Sequence, residues 1–313
     1  MNATVEEFLK YLKYERNYSD KTIIAYRAAL REYEDYVTAE TGHFDPLAPT
    51  LALARGWMVS MGKHHLAVAS IKQSFCALRS FCRYLRKQGL LDNNPLTLLP
   101  TPKVPKTLPV WVREEQMDSL IDDTDYGTDF EGVRDHLLID MLYSTGMRRS
   151  EAAGLTDADI DLSGNSLRVT GKGNKQRIIP FGHELHILIT QYMERRNAEI
   201  GGPTATFFTD RNGKAMSPAK VTSTVHKYLE QFPNLARKGA HVLRHSFATN
   251  MLAEGADLMA VKELLGHASL DSTEVYTHLT PQELLQNYRK AHPRSGENSP
   301  RTLPNPPYEG GGD

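Results

Sequence analysis

The chain has 313 residues, of which 40% are hydrophobic, and this length predicts two domains rather than one. No apolar run approaches the roughly 18 residues of a membrane span, and the N-terminus lacks the apolar core of a signal peptide, so we expect a soluble, cytoplasmic protein without membrane insertion. Its two cysteines, Cys76 and Cys82, would lie about 9 Å apart along a helix axis, too far for a disulfide.

The net charge of −1 argues at first against a nucleic-acid partner, but the charges are unevenly distributed. Residues 113–140 hold ten acidic side chains and two arginines, a local charge of −8 that leaves the rest of the chain at +7. An acidic run of this kind usually forms a solvated face. The alternative interpretation is a carboxylate cluster that holds catalytic metal ions, as in a two-metal nuclease.

Residues 1–95 are predicted to form a domain made only of helices. Thr4 followed by Glu7 is a capping-box pattern that predicts the start of the first helix. The last helix of this segment ends near Gly89 and has an apolar stripe with a basic face turned away from it. The stripe comprises Ile71, Phe75, Leu78, Cys82 and Leu85, and the basic residues are Lys72, Arg79, Arg83 and Arg86. The basic face is a first indication of phosphate contact, and a merely solvated face explains it equally well.

Five prolines lie between residues 93 and 110, and they predict a stiff, extended linker at residues 96–110. A linker of this kind would allow two domains to hold opposite sides of a ligand. The Pro- and Gly-rich tail at residues 293–313 is expected to be disordered.

Residues 111–292 mix helical and alternating patterns, which predicts a second domain of the α+β type. Residues 159–181 alternate like strands around glycine-containing turns and predict a small antiparallel sheet. The helical patterns lie near residues 131–144, 147–155, 217–232, 241–255, 257–266 and 280–290. The chain as a whole is therefore predicted to be mainly α with a small antiparallel β-sheet.

Two local patterns match known sites only weakly. The segment "GKGNK" is glycine-rich, but a phosphate-binding P-loop needs a longer spacing before a helix, and this segment lies between strands. His241 and His245 are four residues apart, as in zinc proteases, but Val242 stands where that motif has its glutamate. We therefore expect neither ATP nor a metal ion as a cofactor.

What remains is a set of cationic side chains around one tyrosine. The set comprises Arg148, Lys172, His241, Arg244, His267 and Tyr276. Each member alone has an ordinary structural interpretation: Arg148 could pair with Glu151, Lys172 could be a solvated turn residue, and Tyr276 could pack as an aromatic.

The segments that carry this set match a family in combination. "YSTGMRRSEAAGL", "GKGNKQRIIP", "HVLRHSFATNML" and "LGHASLDSTEVYTH" resemble, in order and spacing, the signature boxes of the tyrosine recombinases, the phage integrase family. The N-terminal "YSDKTIIAYRAALREY" and "ALRSFCRYLRKQG" resemble the core-binding domain of its XerC/XerD branch. The resemblance covers residues 4–292 and implies a SAM-like, DNA-binding domain at residues 1–95 and a catalytic domain at 111–292.

The resemblance also assigns roles to the six residues. Arg148 and Arg244 would bind the non-bridging oxygens of a phosphodiester, assisted by His241 and His267, with Glu151 in support. Lys172 would give a proton to the departing 5′ oxygen. Tyr276 would be the nucleophile and would form a 3′-phosphotyrosine that a second 5′-hydroxyl reverses, without metal or ATP.

The resemblance further implies partners and a biological role. We expect double-stranded DNA as the substrate and a tetramer on two DNA sites, built from this chain alone or with a second Xer-type recombinase, and with the FtsK translocase in chromosome dimer resolution. The helix near 281–291, with Leu284, Leu285 and Tyr288, would pack on a neighbouring protomer. The alternatives are an integrase of a mobile element, a catalytically silent DNA-binding regulator and the metal nuclease considered above.

Overall fold

The computed structural model describes residues 1–103, 111–171, 174–202, 204–266 and 281–295. The chain divides into two compact units, Met1–Thr107 and Leu108–Asp313. The described residues are mainly helical with one small antiparallel sheet, which confirms the predicted fold class. None of their helices combines the length and the apolar character that crossing a membrane requires.

The N-terminal unit consists of four α-helices around one core. The first helix is capped by Asn2, whose side chain accepts a hydrogen bond from the Thr4 backbone N–H at 2.9 Å, so the capping box predicted at Thr4 is wrong. The second helix is capped by Ser19, and the apolar stripe predicted on the fourth helix is buried as expected. The four helices are α1 (Ala3–Tyr14), α2 (Asp20–Thr41), α3 (Leu51–Lys63) and α4 (Val68–Lys87).

The N-terminal unit continues beyond residue 95, where the linker was expected to begin. Leu96 and Leu99 are buried in its core beside a short 3-10 helix, Pro95–Leu98. Arg79 of α4 holds this segment by donating to the Leu99 carbonyl at 2.5 Å and to the Thr101 hydroxyl at 2.9 Å. Arg79 therefore has a structural role, whereas Lys72, Arg83 and Arg86, the other three residues of the basic face, are exposed.

The C-terminal unit places a three-stranded sheet beside a helical core. Strands β1 (Ile160–Asp161), β2 (Ser166–Thr170) and β3 (Gln176–Pro180) pair in the order β1-β2-β3, and their antiparallel pairing confirms the small antiparallel sheet that was predicted. The hairpin between β2 and β3 closes with a bond from the Gly171 N–H to the Lys175 carbonyl at 2.8 Å. The helices are α5 (Glu114–Asp118), followed by a π-turn (Ser119–Asp123), α6 (Phe130–Thr145), α7 (Arg149–Gly154), α8 (His183–Ile200), α9 (Pro218–Leu229), α10 (Ala240–Ala253), α11 (Leu258–Leu265) and α12 (Pro281–Ala291).

Helix α6 corrects the expectation that the acidic run is a solvated face. Asp123 and Asp125 are exposed as expected, but Asp135 and Asp140 are buried within the core. Asp135 is compensated by a hydrogen-bonded ion pair with Arg134 at 2.7 Å. The acidic run is therefore partly structural, because buried carboxylates need a cationic partner.

Helix α12 packs on its own chain. Leu284 and Tyr288 belong to the core of the C-terminal unit, which corrects the expectation that a neighbouring protomer covers them. His292 stacks on the Tyr288 ring with centroids 4.7 Å apart. Burial, followed by the positive charge of Arg294, lowers the pKa of His292 to about 3, so this imidazole is neutral in the folded protein.

Arg294 also corrects the expectation that the chain is disordered from Pro293 onward. Its side chain is 4% exposed and forms ion pairs with three carboxylates. Its terminal nitrogens lie 3.0 Å from Asp122, 3.4 Å from Asp140 and 2.9 Å from Glu184. Residues 293–295 are therefore held by charges from three separate elements, and residues 296–313 lie outside the described residues.

Replacing Arg294 with methionine should lower the free energy of unfolding by about 3 kcal/mol, because the fully buried Asp140 carboxylate would lose its ion pair with Arg294. The measurement is chemical denaturation of the full chain. Lys290→Met is the matched control, since Lys290 is exposed on α12 and its replacement should change the free energy by less than about 0.5 kcal/mol. Equal denaturation midpoints for the two variants would contradict this account of Arg294.

Candidate active site

The turn between α6 and α7 positions Arg148. Gly146 ends α6 with a φ of 58°, and a Cβ at this position would lie 2.6 Å from the Phe247 ring, so both the backbone and the space require glycine. Arg148 then forms the N-cap of α7, and its backbone N–H donates to Glu151 Oε2 at 2.7 Å. The Arg148 side chain is 33% exposed, so its guanidinium can reach a ligand.

Arg244 lies on the buried face of α10 and points at the same turn. One terminal nitrogen donates to the Gly146 carbonyl at 2.6 Å, and the other donates to the Leu265 carbonyl at 2.7 Å. Burial, followed by the positive charges of Arg148 and Arg177, lowers the pKa of Arg244 to about 10. The guanidinium nevertheless remains charged at neutral pH, so the site keeps a buried cation.

The C-terminal end of α11 is the meeting point of three arginines. Arg177 donates from Nε to the Leu264 carbonyl at 2.6 Å, Arg244 donates to Leu265, and Arg148 donates to the Gly266 carbonyl at 3.2 Å. The last carbonyls of a helix have no partner within the helix and form its negative end, so they attract cations.

Within the described segments, Glu151 is the carboxylate that two of these guanidinium groups share. Arg177 binds it through two bonds, from Nη1 to Oε1 at 3.1 Å and from Nη2 to Oε2 at 2.9 Å, and Arg148 Nη1 donates to Oε1 at 2.8 Å. Burial raises the pKa of Glu151, but the hydrogen bonds from Arg177 and Arg148 outweigh it, and the pKa is lowered. Counted over these described side chains, three cations and one anion give the pocket a charge of +2.

His241 lies in the first turn of α10, one helical turn before Arg244, where its side chain is partly exposed to solvent. Partial burial, followed by the charges of Arg149, Arg244 and Arg148, lowers its pKa. A lowered pKa keeps the imidazole neutral at neutral pH and able to accept a proton. His245, by contrast, makes an edge contact with the Trp111 ring at 6.4 Å.

Three of the six predicted site residues can thus be located. The structure brings Arg148 and Arg244 together at the end of α11, with His241 under the influence of both charges. Lys172, His267 and Tyr276 lie outside the described residues. Among the described residues, no group of three or more His, Cys, Asp or Glu side chains is arranged to hold a metal ion.

Arg177 belongs to this cluster, and the sequence analysis missed it. It stands on β3 between Gln176 and Ile178, which are exposed, and it pairs in register with Val169, which is buried. The strand alternation could have identified Arg177, because it places residue 177 on the inward side of β3 together with Ile179. A charged residue at an inward strand position predicts a buried partner.

Comparison with protein families gives two matches. The model of the phage integrase family matches residues 110–283, and the model of the phage integrase N-terminal SAM-like domain matches residues 5–89. Among curated proteins, the tyrosine recombinase XerC of Chlorobaculum tepidum is 37% identical, covering 92% of this chain and 94% of its own length. The tyrosine recombinase XerC of Oceanobacillus iheyensis is 35% identical, covering 94% of this chain and 97% of its own length.

Solved structures share the fold. The XerH site-specific recombinase bound to its difH substrate in a pre-cleavage complex superposes with a TM-score of 0.66 and 25% identity, covering 85% of this chain and 79% of that one. The Tn1549 transposon integrase in complex with transposon right end DNA gives a TM-score of 0.67 at 20% identity, covering 85% of this chain and 91% of that one. The second likeness concerns the fold alone.

Proposed function

The chain belongs to the phage integrase family of tyrosine recombinases, and we propose that it performs Xer-type site-specific recombination on duplex DNA with Tyr276 as its nucleophile. The observation that carries the proposal is the +2 pocket at the end of α11. Arg148 and Arg244 both bind carbonyls at this end, and His267 directly follows Gly266 in the chain. Tyr276 comes nine residues later, within the same family box.

The reaction needs a pocket of this charge. When the Tyr276 hydroxyl attacks phosphorus, the non-bridging oxygens gain negative charge, and forked guanidinium groups stabilise it. The new bond joins the tyrosine oxygen to phosphorus while the bond from phosphorus to the 5′ oxygen breaks. His241, held neutral by its lowered pKa, is suited to take the tyrosine proton. Lys172 supplies a proton to the leaving 5′ oxygen.

The 3′-phosphotyrosine conserves one phosphoester bond for each bond broken. A 5′-hydroxyl from a second strand can therefore reverse the reaction, and strand joining requires no nucleotide hydrolysis. The exchange of two strand pairs calls for four active sites, so we place four protomers on two DNA sites. The partner in this assembly is a second copy of the chain or a second Xer-type recombinase.

The proposed role is chromosome dimer resolution in the cytoplasm, assisted by an FtsK translocase. The supporting finding is that XerC proteins match 92% or more of this chain at 33–37% identity. An integrase of a mobile element would use the same chemistry, but these relatives favour the Xer role. A catalytically silent regulator would have no need to hold the buried Arg244 against the repelling charge of Arg148.

The test is the chemistry of the DNA ends. DNA captured covalently on the purified chain is sequenced to identify the site, and a nicked duplex of that site is then cleaved in the presence of EDTA. The proposal predicts a free 5′-hydroxyl and a protein-blocked 3′ end. A product with free 3′-hydroxyl and 5′-phosphate ends, formed only without EDTA, would assign the chain to the metal nucleases instead.

A further inference from the structure

Arg177 occupies a central position within the proposed active site. Its guanidinium forks onto both oxygens of Glu151 and, through Nε, holds the Leu264 carbonyl of α11. Its side chain is 10% exposed, so it is less accessible to DNA than the Arg148 side chain at 33%. The low exposure of Arg177 therefore argues against direct contact between this side chain and the DNA.

The pair formed by Arg177 and Glu151 also lies beside the two glycines that precede Lys172 and His267 in the chain. A methyl group on Gly171 would lie 3.4 Å from Glu151 Oε1, and Gly171 immediately precedes Lys172. A methyl group on Gly266 would lie 3.1 Å from Arg177 Cδ, and Gly266 immediately precedes His267. One buried ion pair thus supports both chain segments that lead into catalytic positions.

The same pair determines how far Glu151 neutralises the positive charge of Arg148. Glu151 accepts from the Arg148 side chain as well as from Arg177. Without Arg177, the Glu151 carboxylate would keep Arg148 as its remaining side-chain partner in this network. The negative charge of Glu151 and the positive charge of Arg148 would then largely cancel. The scissile phosphate would then meet a pocket of +1 instead of +2, with Arg148 drawn toward Glu151.

We propose that Arg177 is a positioning residue for strand cleavage, which neutralises Glu151 so that Arg148 keeps its charge for the phosphate and which fixes the end of α11. This inference rests on the proposed function. Arg177 acts through Arg148 and through the two glycines, so its replacement should affect the chemical step more than DNA binding. Electrostatic and orientational effects of this kind amount to about 100-fold in rate.

The first experiment measures covalent adduct formation at saturating nicked substrate. Arg177→Met should slow the adduct about 100-fold while changing DNA affinity less than about threefold. The double variant Arg177→Met/Glu151→Gln should recover at least about tenfold, because it no longer has a carboxylate that competes for Arg148. Arg168→Met is the matched control, since Arg168 lies on the neighbouring strand, is 51% exposed and pairs with Asp159, and its adduct rate should be unchanged.

The second experiment separates positioning from folding. A substrate with a methylphosphonate at the scissile position has one negative charge fewer, so it depends less on the cations of the pocket. The defect of Arg177→Met should be at least about tenfold smaller on this substrate. Equal losses on both substrates without recovery in the double variant, or a normal rate for Arg177→Met, would overturn the inference. Absence of an adduct from the unmodified chain would overturn the proposed function, and the inference with it.

Discussion

The Tyr276→Phe variant is expected to bind its DNA site with an affinity within about twofold of the unmodified chain and to form no covalent adduct at all. The substitution removes only the phenolic oxygen, which is the atom proposed to bond to phosphorus. The arginine pocket proposed to bind the phosphate is left intact, so affinity should be preserved. The measurements are a gel-shift titration and denaturing electrophoresis on a nicked suicide substrate.

Tyr288→Phe provides the matched control for this experiment. Tyr288 is buried in α12, and its hydroxyl has no hydrogen-bond partner within the described part of the chain. Removing this hydroxyl should leave both DNA binding and adduct formation unchanged. An adduct formed by Tyr276→Phe at any rate above background would show that another side chain is the nucleophile.

The Lys172→Ala variant is expected to cleave normal DNA about 10²- to 10⁴-fold more slowly, because the 5′ oxygen would leave as an unprotonated alkoxide. A substrate with sulfur in place of the bridging 5′ oxygen removes this requirement, since a thiolate is a good leaving group without a proton. The sulfur substrate should therefore restore the adduct rate of Lys172→Ala to near that of the unmodified chain. Burst kinetics on the two substrates provide the measurement.

Lys175→Ala is the control for charge and for the hairpin itself. Lys175 is exposed on the same hairpin, and its backbone carbonyl, which the substitution retains, accepts from Gly171. Its adduct rate should be normal on both substrates. If the sulfur substrate fails to rescue Lys172→Ala, Lys172 stabilises the transition state in some way other than proton donation.

Local signals in the sequence predicted much of the fold. The helix predicted near residues 217–232 forms as α9, with Ser217 as its cap and Pro218 in its first turn, because both residues act through their own backbone neighbours. The β2–β3 hairpin was likewise predicted from a local signal, the alternating pattern of residues 159–181 around glycine-containing turns. Helix α3 lies within the domain that was predicted to be helical, but its two glycines weaken the local signal, and Gly56 is explained only by the close approach of the Tyr36 hydroxyl from α2.

Helix α8 was missed for a related reason. It begins after Gly182 without a capping side chain, and its buried face includes Arg196, which no apolar pattern predicts. Arg196 is fully buried because it forks onto Asp157 at 2.8 and 2.7 Å. The two partners are 39 residues apart, so the pair is a product of the tertiary fold.

The candidate site shows the same division between local and tertiary information. The family boxes pointed to Arg148, His241 and Arg244, and the structure places the two arginines at one helix end. The roles of Arg177 and of the α11 carbonyls depend on contacts between β3, α7 and α11, which are far apart in the chain. Spacing along the sequence carries no information about such contacts.

The central claim is that the DNA becomes linked to Tyr276, and mass spectrometry of the trapped adduct tests it most directly. After nuclease and trypsin digestion, the peptide between Lys262 and Arg289 contains both Tyr276 and Tyr288. Fragmentation of that peptide should place a nucleotide 3′-phosphate on Tyr276, with Tyr288 unmodified. A nucleotide on Tyr288, on any residue outside this peptide, or on no residue at all would contradict the account.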